Sequence, residues 1–246
     1  MPPPPALLAI DAGNTRIKWG VIEAWGWSAK GAIPTTEAPR LAQAWSALPE
    51  GIRAVLANVA GIDVQRHIEH ACAALGSELR VVEPTAIALG VTNGYRDPHR
   101  LGADRWAALI AAHHAQRGHK LVVNAGTALT VDALLDDGQF LGGLIVPGPS
   151  LMRLALEQAT AGLRSNQGRF NAFPVRTQDA IHSGAIQACA GAIDRMSALM
   201  AGGECAPERV ILSGGAAAEL APHLSLPTVV NENLVLDGLA LLARSP

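Results

Sequence analysis

A short segment near the start of the chain combines residue types that bind phosphate groups. Asp11, Gly13, Asn14 and Thr15 follow an apolar run, and Lys18 comes three residues later. Glycine lets the backbone approach phosphate oxygens, amides and hydroxyls donate hydrogen bonds to them, and a carboxylate can hold Mg²⁺ through water. The lysine then supplies a positive charge. The segment predicts a turn that binds a polyphosphate.

A second segment with the same pattern opens the other half of the chain. Residues 121–128 align with residues 8–15, because each has an apolar run, then Asn or Asp, then Ala-Gly, then a turn. Each predicts a strand, a tight turn and another strand. The chain therefore looks duplicated, and Gly126, Thr127 and Ala128 could bind the same polyphosphate from across a cleft. Coincidence is the alternative, since Asx-x-Gly is ordinary hairpin chemistry.

The two common glycine-rich nucleotide motifs are absent from the sequence. None of the three lysines, Lys18, Lys30 and Lys120, follows a glycine in a G-x-x-x-x-G-K pattern, and no G-x-G-x-x-G run occurs. P-loop and Rossmann modes of nucleotide binding are therefore excluded.

Composition bounds the remaining classes. Of 246 residues, 49% are hydrophobic and 16% charged, with a net charge of -2, so the chain can bury a large core and is not disordered. No basic cluster suggests nucleic-acid binding, no apolar run reaches the ~18 to 20 residues of a membrane span, and the N-terminus lacks the pattern of a signal peptide. Three scattered cysteines suit a reducing compartment. We expect a cytoplasmic protein that binds neither nucleic acid nor membrane.

Strands alternate with helices, which predicts an α/β protein with helices on both faces of mixed sheets. A domain boundary is predicted after Arg117, giving halves 1–117 and 118–246. The predicted elements after the first hairpin are strands at 54–59, 79–82 and 210–212, and helices at 64–75, 104–116, from 150, 178–200 and after 231.

Several segments, in this order, resemble the motifs of type III pantothenate kinases, which belong to the superfamily of acetate and sugar kinases and actin. The resemblance extends from residue 8 to about 240 and implies a duplicated ribonuclease H-like, actin-like ATPase fold. It also implies a homodimer that phosphorylates the primary alcohol of pantothenate with ATP, the first step towards coenzyme A. The segments are Asp11-Ala12-Gly13-Asn14-Thr15 with Lys18, Asn93-Gly94-Tyr95, Gly102-Ala103-Asp104-Arg105, Gly126-Thr127-Ala128, Gly142-Gly143 to Pro147-Gly148, and Gly214-Gly215.

The resemblance also assigns roles to individual residues, with Asp104 as the general base. Independent chemistry agrees, because a hydroxyl that attacks a γ-phosphoryl group needs a carboxylate within hydrogen-bond reach. The implied ATP contacts are Asp11, Ala12, Gly13, Asn14, Thr15, Arg16, Ile17, Lys18 and Thr127, and the implied pantothenate contacts are Tyr95, Gly102, Ala103, Asp104, Arg105 and Thr177.

Each of these residues also has a structural interpretation. Asp104 and Thr177 could be helix N-caps, and Arg105 could be a solvated helix charge instead of a ligand for a carboxylate or phosphoryl oxygen. Gly214-Gly215 could be a plain turn between a strand and a helix instead of a place where a nucleoside lies against the backbone. Tyr95, the only tyrosine, is more consistent with a ligand contact than with core filling.

The sequence departs from the family pattern at Asn124. Many members have an aspartate there that coordinates an activating monovalent cation, K⁺ or NH₄⁺, whereas asparagine keeps an oxygen but no charge. We therefore expect weak dependence on potassium. Asp132 is near in sequence, but spacing alone does not show whether it compensates.

Two other functions stay open. A kinase of the same superfamily that acts on another small alcohol or carboxylate would keep the phosphate turns and change the region of Tyr95 and of residues 102–105. A non-catalytic regulatory relative would lose the base, but Asp11, Lys18 and Asp104 are all present.

Overall fold

The computed structural model describes residues 6–159 and 168–245. The chain forms two compact units, one from Met1–Ala115 with Asn233–Pro246 and the other from Gln116–Glu232. The crossing after Ala115 lies close to the expected boundary. The chain then returns to its first unit at Asn233, whereas the sequence analysis assigned all of 118–246 to one half.

The first unit contains a five-stranded mixed sheet. Its strand order is β3-β2-β1-β4-β5, with β1, β2 and β3 antiparallel and β4 and β5 parallel to β1. The strands are β1 (Leu7–Ala12), β2 (Arg16–Glu23), β3 (Gly26–Pro34), β4 (Arg53–Asn58) and β5 (Leu79–Val81).

The second unit repeats this arrangement with the order β10-β9-β8-β11-β12. Its strands pair with the same directions as their counterparts in the first unit, so the predicted duplication is confirmed. A small separate hairpin, β6 (Ile87–Ala88) with β7 (Val91–Thr92), precedes it. The strands of the second sheet are β8 (Lys120–Ala125), β9 (Ala128–Leu134), β10 (Phe140–Pro147), β11 (Arg209–Ser213) and β12 (Thr228–Val230).

Among the described residues, the five longer helices agree with the predicted ones to within about two or three residues at most ends, and two four-residue helices were not predicted. The helices are α1 (Leu41–Ala44), α2 (Ile62–Ala74), α3 (Ala103–Ala115), α4 (Pro149–Ala159), α5 (Thr177–Gly202), α6 (Ala217–Leu220) and α7 (Leu234–Arg244). Short 3-10 turns lie at Thr35–Arg40, Pro98–Arg100 and Ala221–His223. Within the described residues no helix is both long and apolar enough to cross a membrane.

Both faces of the first sheet are covered by helices. Leu8 and Ile10 of β1 pack in one cluster with Trp45, Ile68 and Cys72 on the side of α1 and α2, while α3 and α7 contact strands β4 and β1. A central strand buried on both faces has an unbroken apolar run, which explains why β1 begins with four apolar residues.

Helices α3 and α7 cross in close contact at Gly238. A Cβ atom on this residue would overlap the backbone of Ala107, so only glycine allows the two helices to approach this far. The last helix of the chain therefore fixes α3 against the first sheet.

The second unit has its core between its sheet and α5. Alternate residues of β8, among them Leu121 and Val123, pack with Ile186 and Ile193 of α5. Their strand neighbours Val122 and Asn124 face the opposite side of the sheet.

Candidate active site

The predicted phosphate-binding segment is the turn between β1 and β2. The strand register places Asp11 opposite Lys18, and the N–H of Gly13 donates to the carbonyl oxygen of Arg16 at 3.0 Å. Ala12 and Ile17 are fully buried, so only their backbone could serve a ligand. Lys18 and Asp11 are partly exposed, and the turn residues Asn14, Thr15 and Arg16 are exposed.

Thr35 closes this turn and was not found by the sequence analysis. Its N–H donates to the carbonyl oxygen of Thr15 at 3.0 Å, and its Oγ1 donates to the carbonyl oxygen of Gly13 at 2.7 Å. Two hydrogen bonds from one residue therefore hold both ends of the loop that joins the strands.

Asp104 lies at the N-terminal end of α3. The helix begins one residue earlier than Asp104, with the N–H of Trp106 donating to the carbonyl oxygen of Gly102 at 2.9 Å, so the N-cap interpretation of Asp104 is wrong. Its Oδ1 nevertheless accepts a hydrogen bond from the N–H of Arg105 at 2.8 Å. A Cβ atom on Gly102 would lie 2.5 Å from this oxygen, so the glycine leaves the space that the carboxylate occupies.

The carboxyl groups of Asp11 and Asp104 interact across the first unit. Burial raises the pKa of Asp11 to about 7, the negative charge of Asp104 adds to the rise, and Lys18 acts against it. Burial also raises the pKa of Asp104, while the N–H and the guanidinium of Arg105 act against that rise. The fold therefore brings the phosphate turn and the candidate base within electrostatic reach of each other.

Arg105 and Tyr95 form a pair beside the base. Nη1 of Arg105 donates to the hydroxyl oxygen of Tyr95 at 2.7 Å, and the guanidinium carbon lies 5.5 Å from the centre of the ring. Arg105 is only 5% exposed, so the interpretation of it as a solvated helix charge is wrong. A buried guanidinium with an aromatic and a polar partner is a typical anion-recognition group.

The second phosphate turn lies between β8 and β9. Thr127 is exposed at its tip, and the N–H of Gly126 donates to the carbonyl oxygen of Ala128 at 3.0 Å. The N–H of Gly148 donates to the carbonyl oxygen of Thr127 at 2.8 Å. The turn is thus supported by the loop that begins α4.

Asn124 stands at the end of β8, in register with Thr130 and Ser213. Asp132 pairs with Val122 and is 2% exposed. Paired residues project to the same face of a sheet. Asp132 therefore lies on the same face as Asn124, next to Thr130 on that face. A Cβ atom on Gly214, which has a φ of +96°, would lie 2.6 Å from Oδ1 of Asn124, so the Gly-Gly segment passes directly over this side chain.

Thr177 is the first residue of α5 and is exposed, with Arg176 at the N-cap position. The N-cap interpretation of Thr177 is therefore wrong. Asp179 in the same turn is buried, and its Oδ1 accepts a hydrogen bond from the N–H of Arg169 at 2.9 Å.

The expected site residues divide between the two units. Asp11, Lys18, Tyr95, Asp104 and Arg105 lie in the first unit. The second unit contains Thr127, Asn124 and Thr177, which are expected to contact ATP, the monovalent cation and pantothenate.

Comparisons with known proteins show the family and the fold. The sequence profile of type III pantothenate kinases matches residues 7–199. A type III pantothenate kinase from Aromatoleum aromaticum is 48% identical over 97% of this chain and 98% of the relative. One from Nitrosospira multiformis is 45% identical over 98% of this chain and 92% of the relative. MreB 5 of Spiroplasma citri, solved with AMPPNP, shares the fold with a TM-score of 0.54 at 10% identity, over 97% of this chain and 96% of that one. The duplicated ribonuclease H-like, actin-like fold is thereby confirmed.

The raised pKa of Asp11 predicts how an Asp11→Asn variant changes stability with pH. An unfolded aspartate loses its proton near 3.8, but Asp11 in the folded protein does so at about 7. The Asp11 carboxyl group therefore destabilises the folded wild type increasingly as the pH rises from about 4 to about 7, and Asp11→Asn removes this contribution. Without nucleotide or Mg²⁺, we expect the Tm of Asp11→Asn relative to wild type to rise by about 3 °C or more between pH 4.5 and pH 8.

The matched control for this measurement is Asp63→Asn. Asp63 is exposed on α2 beside Arg66, and its Tm difference from wild type should stay nearly constant over the same pH range. A constant or falling difference for Asp11→Asn would show that the folded protein does not disfavour the ionised form of Asp11.

Proposed function

Because this chain belongs to the family of type III pantothenate kinases, we propose that it transfers the γ-phosphoryl group of ATP to the primary alcohol of pantothenate, the first step of coenzyme A biosynthesis. The observation that carries this proposal is the match to type III pantothenate kinases over nearly the whole chain, in a protein that has Asp104 in the first turn of α3 and Asp11 beside the phosphate turn. A base beside a phosphate-binding turn is the arrangement that phosphoryl transfer to an alcohol requires.

Asp104 acts as the general base in this proposal. The hydroxyl oxygen of the acceptor attacks the γ-phosphorus, the hydroxyl proton passes to a carboxylate oxygen of Asp104, and ADP leaves with the bridging oxygen. Burial strengthens Asp104 as a base by raising its pKa. The hydrogen bond from the N–H of Arg105 to Oδ1 fixes the direction of the carboxylate.

The turn between β1 and β2 binds the phosphates. Exposed Asn14, Thr15 and Arg16 and the N–H groups of the turn offer donors, and Lys18 offers a positive charge. The residues fit a divalent cation, because its positive charge would offset the repulsion between two partly buried carboxyl groups. Asp11 would hold Mg²⁺ through water, and the ion would neutralise phosphate charge. Thr127 is the second ATP contact in this proposal.

Tyr95 and Arg105 bind the acceptor, together with the backbone of Gly102 and Ala103. A buried guanidinium suits the pantothenate carboxylate. Exposed Thr177 belongs to the same acceptor site, and we propose that a homodimer completes that site by presenting Thr177 from the partner subunit. The expected cytoplasmic location remains part of the proposal.

The two rival functions differ from this proposal in testable ways. A superfamily kinase with another alcohol or carboxylate as acceptor would consume ATP with a different member of a substrate panel. A regulatory relative would show no turnover. The presence of the base, the lysine and the buried arginine supports catalysis.

An Asp104→Asn variant tests the assignment of the base. We expect ATP-dependent formation of 4'-phosphopantothenate by the wild type and a kcat lower by roughly 10² to 10⁴ in the variant, because the amide cannot accept the hydroxyl proton. The measurement is product formation by mass spectrometry, with Tm as the check on folding. Asp97→Asn, on an exposed loop nearby, is the control and should keep normal turnover. A folded Asp104→Asn variant with near-normal kcat would refute the assignment.

Asn124 predicts the response to monovalent cations. An amide oxygen attracts a cation through a dipole only, whereas a carboxylate does so through a full charge. Activity should therefore depend only slightly on potassium, and Asn124→Asp should raise the apparent affinity for it. The measurement is initial rate against potassium concentration at constant ionic strength, held with a bulky organic cation. Strong, saturable activation of the wild type at low potassium would show that other oxygens form the site.

A further inference from the structure

We propose that Asn93 is a positioning residue for the acceptor side of the site, because its carboxamide sets the conformation of the loop that places Tyr95 against Arg105. The inference rests on the proposed function and adds a residue to which that function assigns no role. It concerns residues 85–105, all of which lie in the first unit.

Asn93 joins three separate points of this loop. Its Nδ2 donates to the carbonyl oxygens of Thr85 and Pro98, each at 3.2 Å, and its Oδ1 accepts from the N–H of Tyr95 at 3.1 Å. Its own N–H donates to the carbonyl oxygen of Ala86 at 2.9 Å. Asn93 is 8% exposed, so its carboxamide bonds to the loop and hardly to solvent, and its removal would cost these hydrogen bonds.

The hydrogen bond between Asn93 and Tyr95 is the first of a series of contacts that ends at the base. The hydroxyl oxygen of Tyr95 accepts from Nη1 of Arg105, and the N–H of Arg105 donates to Oδ1 of Asp104. A change in the position of the Tyr95 backbone therefore moves a contact one residue away from the base.

The start of the loop is also attached to α3, near the C-terminal end of the helix. The hairpin between β6 and β7 turns at Leu89, which has a φ of +49°, and Gly90. A non-glycine residue in this region is strained and persists only when its surroundings hold it. The ring nitrogen Nε2 of His114 lies 3.0 Å from the carbonyl oxygen of Leu89, and a Cβ atom on Gly90 would lie 3.1 Å from Nε2 of His113.

The loop thus has two attachments to α3. One lies near the C-terminal end of the helix, and the other, the contact of Tyr95 with Arg105, lies at the beginning of the helix. Strand β7 (Val91–Thr92) runs from the first attachment straight into Asn93. With both ends fixed on one helix, the hydrogen bonds of Asn93 decide where the Tyr95 ring lies between them. This predicts that Asn93 controls binding of the acceptor and not of ATP.

The test uses the fact that Tyr95 is the only tyrosine, so that protein labelled with 3-fluorotyrosine gives one fluorine resonance. In Asn93→Ala, without substrates, we expect this resonance to move from its wild-type position towards that of the unfolded protein. With substrates, we expect the KM for pantothenate to rise on the order of 10-fold and the KM for ATP to change by less than about twofold, because hydrogen bonds on the acceptor side alone are lost.

Asp97→Ala is the matched control. Oδ1 of Asp97 accepts from the N–H of His99 at 3.2 Å, which is the same kind of turn in the same loop, but it does not contact Tyr95. The control should keep the wild-type resonance and both KM values. If Asn93→Ala does not fold, Asn93→Asp keeps an acceptor for the N–H of Tyr95 and sets a carboxylate against the carbonyl oxygens of Thr85 and Pro98. It should displace the resonance in the same direction.

The outcomes separate this inference from the proposed function. A lower Tm with an unmoved resonance and unchanged KM values would overturn the positioning role and leave Asn93 as a stabilising residue only. If the wild type does not phosphorylate pantothenate, the proposed function fails. The fluorine measurement without substrates still decides whether Asn93 positions Tyr95.

Discussion

The burial of the Asp11 and Asp104 carboxyl groups is the constraint on which the site depends. Burial raises the free energy of the ionised state of each carboxyl group, and the negative charge of Asp104 adds to this effect at Asp11. The surrounding fold must hold them there. Asp11 is fixed by a strand in the centre of the sheet, and Asp104 by the first turn of α3, which Gly102 keeps clear and α7 holds through the close contact at Gly238.

Duplication explains why the two units are similar in architecture but different in chemistry. The pair Asp11 and Lys18 at the end of the first hairpin corresponds in register to Asn124 and Thr130 at the end of the second. Both pairs occupy the same position in their sheets, but the second pair carries no formal charge. The first unit therefore concentrates the charges that phosphoryl transfer requires, and the second offers backbone, hydroxyl and amide groups.

The sequence predicted the parts of the fold that depend on local pattern. The hairpins at residues 11 and 124 and the alternation of strands and helices follow from periodicity and turn chemistry. Strand β3 was missed because its glycines conceal the pattern. A Cβ atom on Gly31 would overlap the ring of Trp19, with which it pairs across the strands, so the glycine serves the packing of an aromatic residue on the neighbouring strand.

The missing parts of the site have long-range causes. Thr35 closes the phosphate turn from 22 residues away, and no local pattern marks it. The burial of Arg105 and the return of α7 to the first unit are likewise set by tertiary contacts, which override local expectation. Asn93 was visible only as part of a motif, because its function depends on carbonyl oxygens at two other points of the loop.

A direct titration of Asp11 tests whether its carboxyl group interacts with that of Asp104. Protein labelled with ¹³C at the aspartate carboxyl carbons allows the Asp11 resonance to be assigned by its absence in Asp11→Asn. The titration midpoint is then compared between wild type and Asp104→Asn, without nucleotide or divalent cation. We predict a midpoint near 7 in the wild type and a lower one, still above the ordinary value of 3.8, in the variant, because the repelling charge is gone and the burial remains. An unchanged midpoint would contradict this prediction and would show that the charge of Asp104 does not affect the ionisation of Asp11.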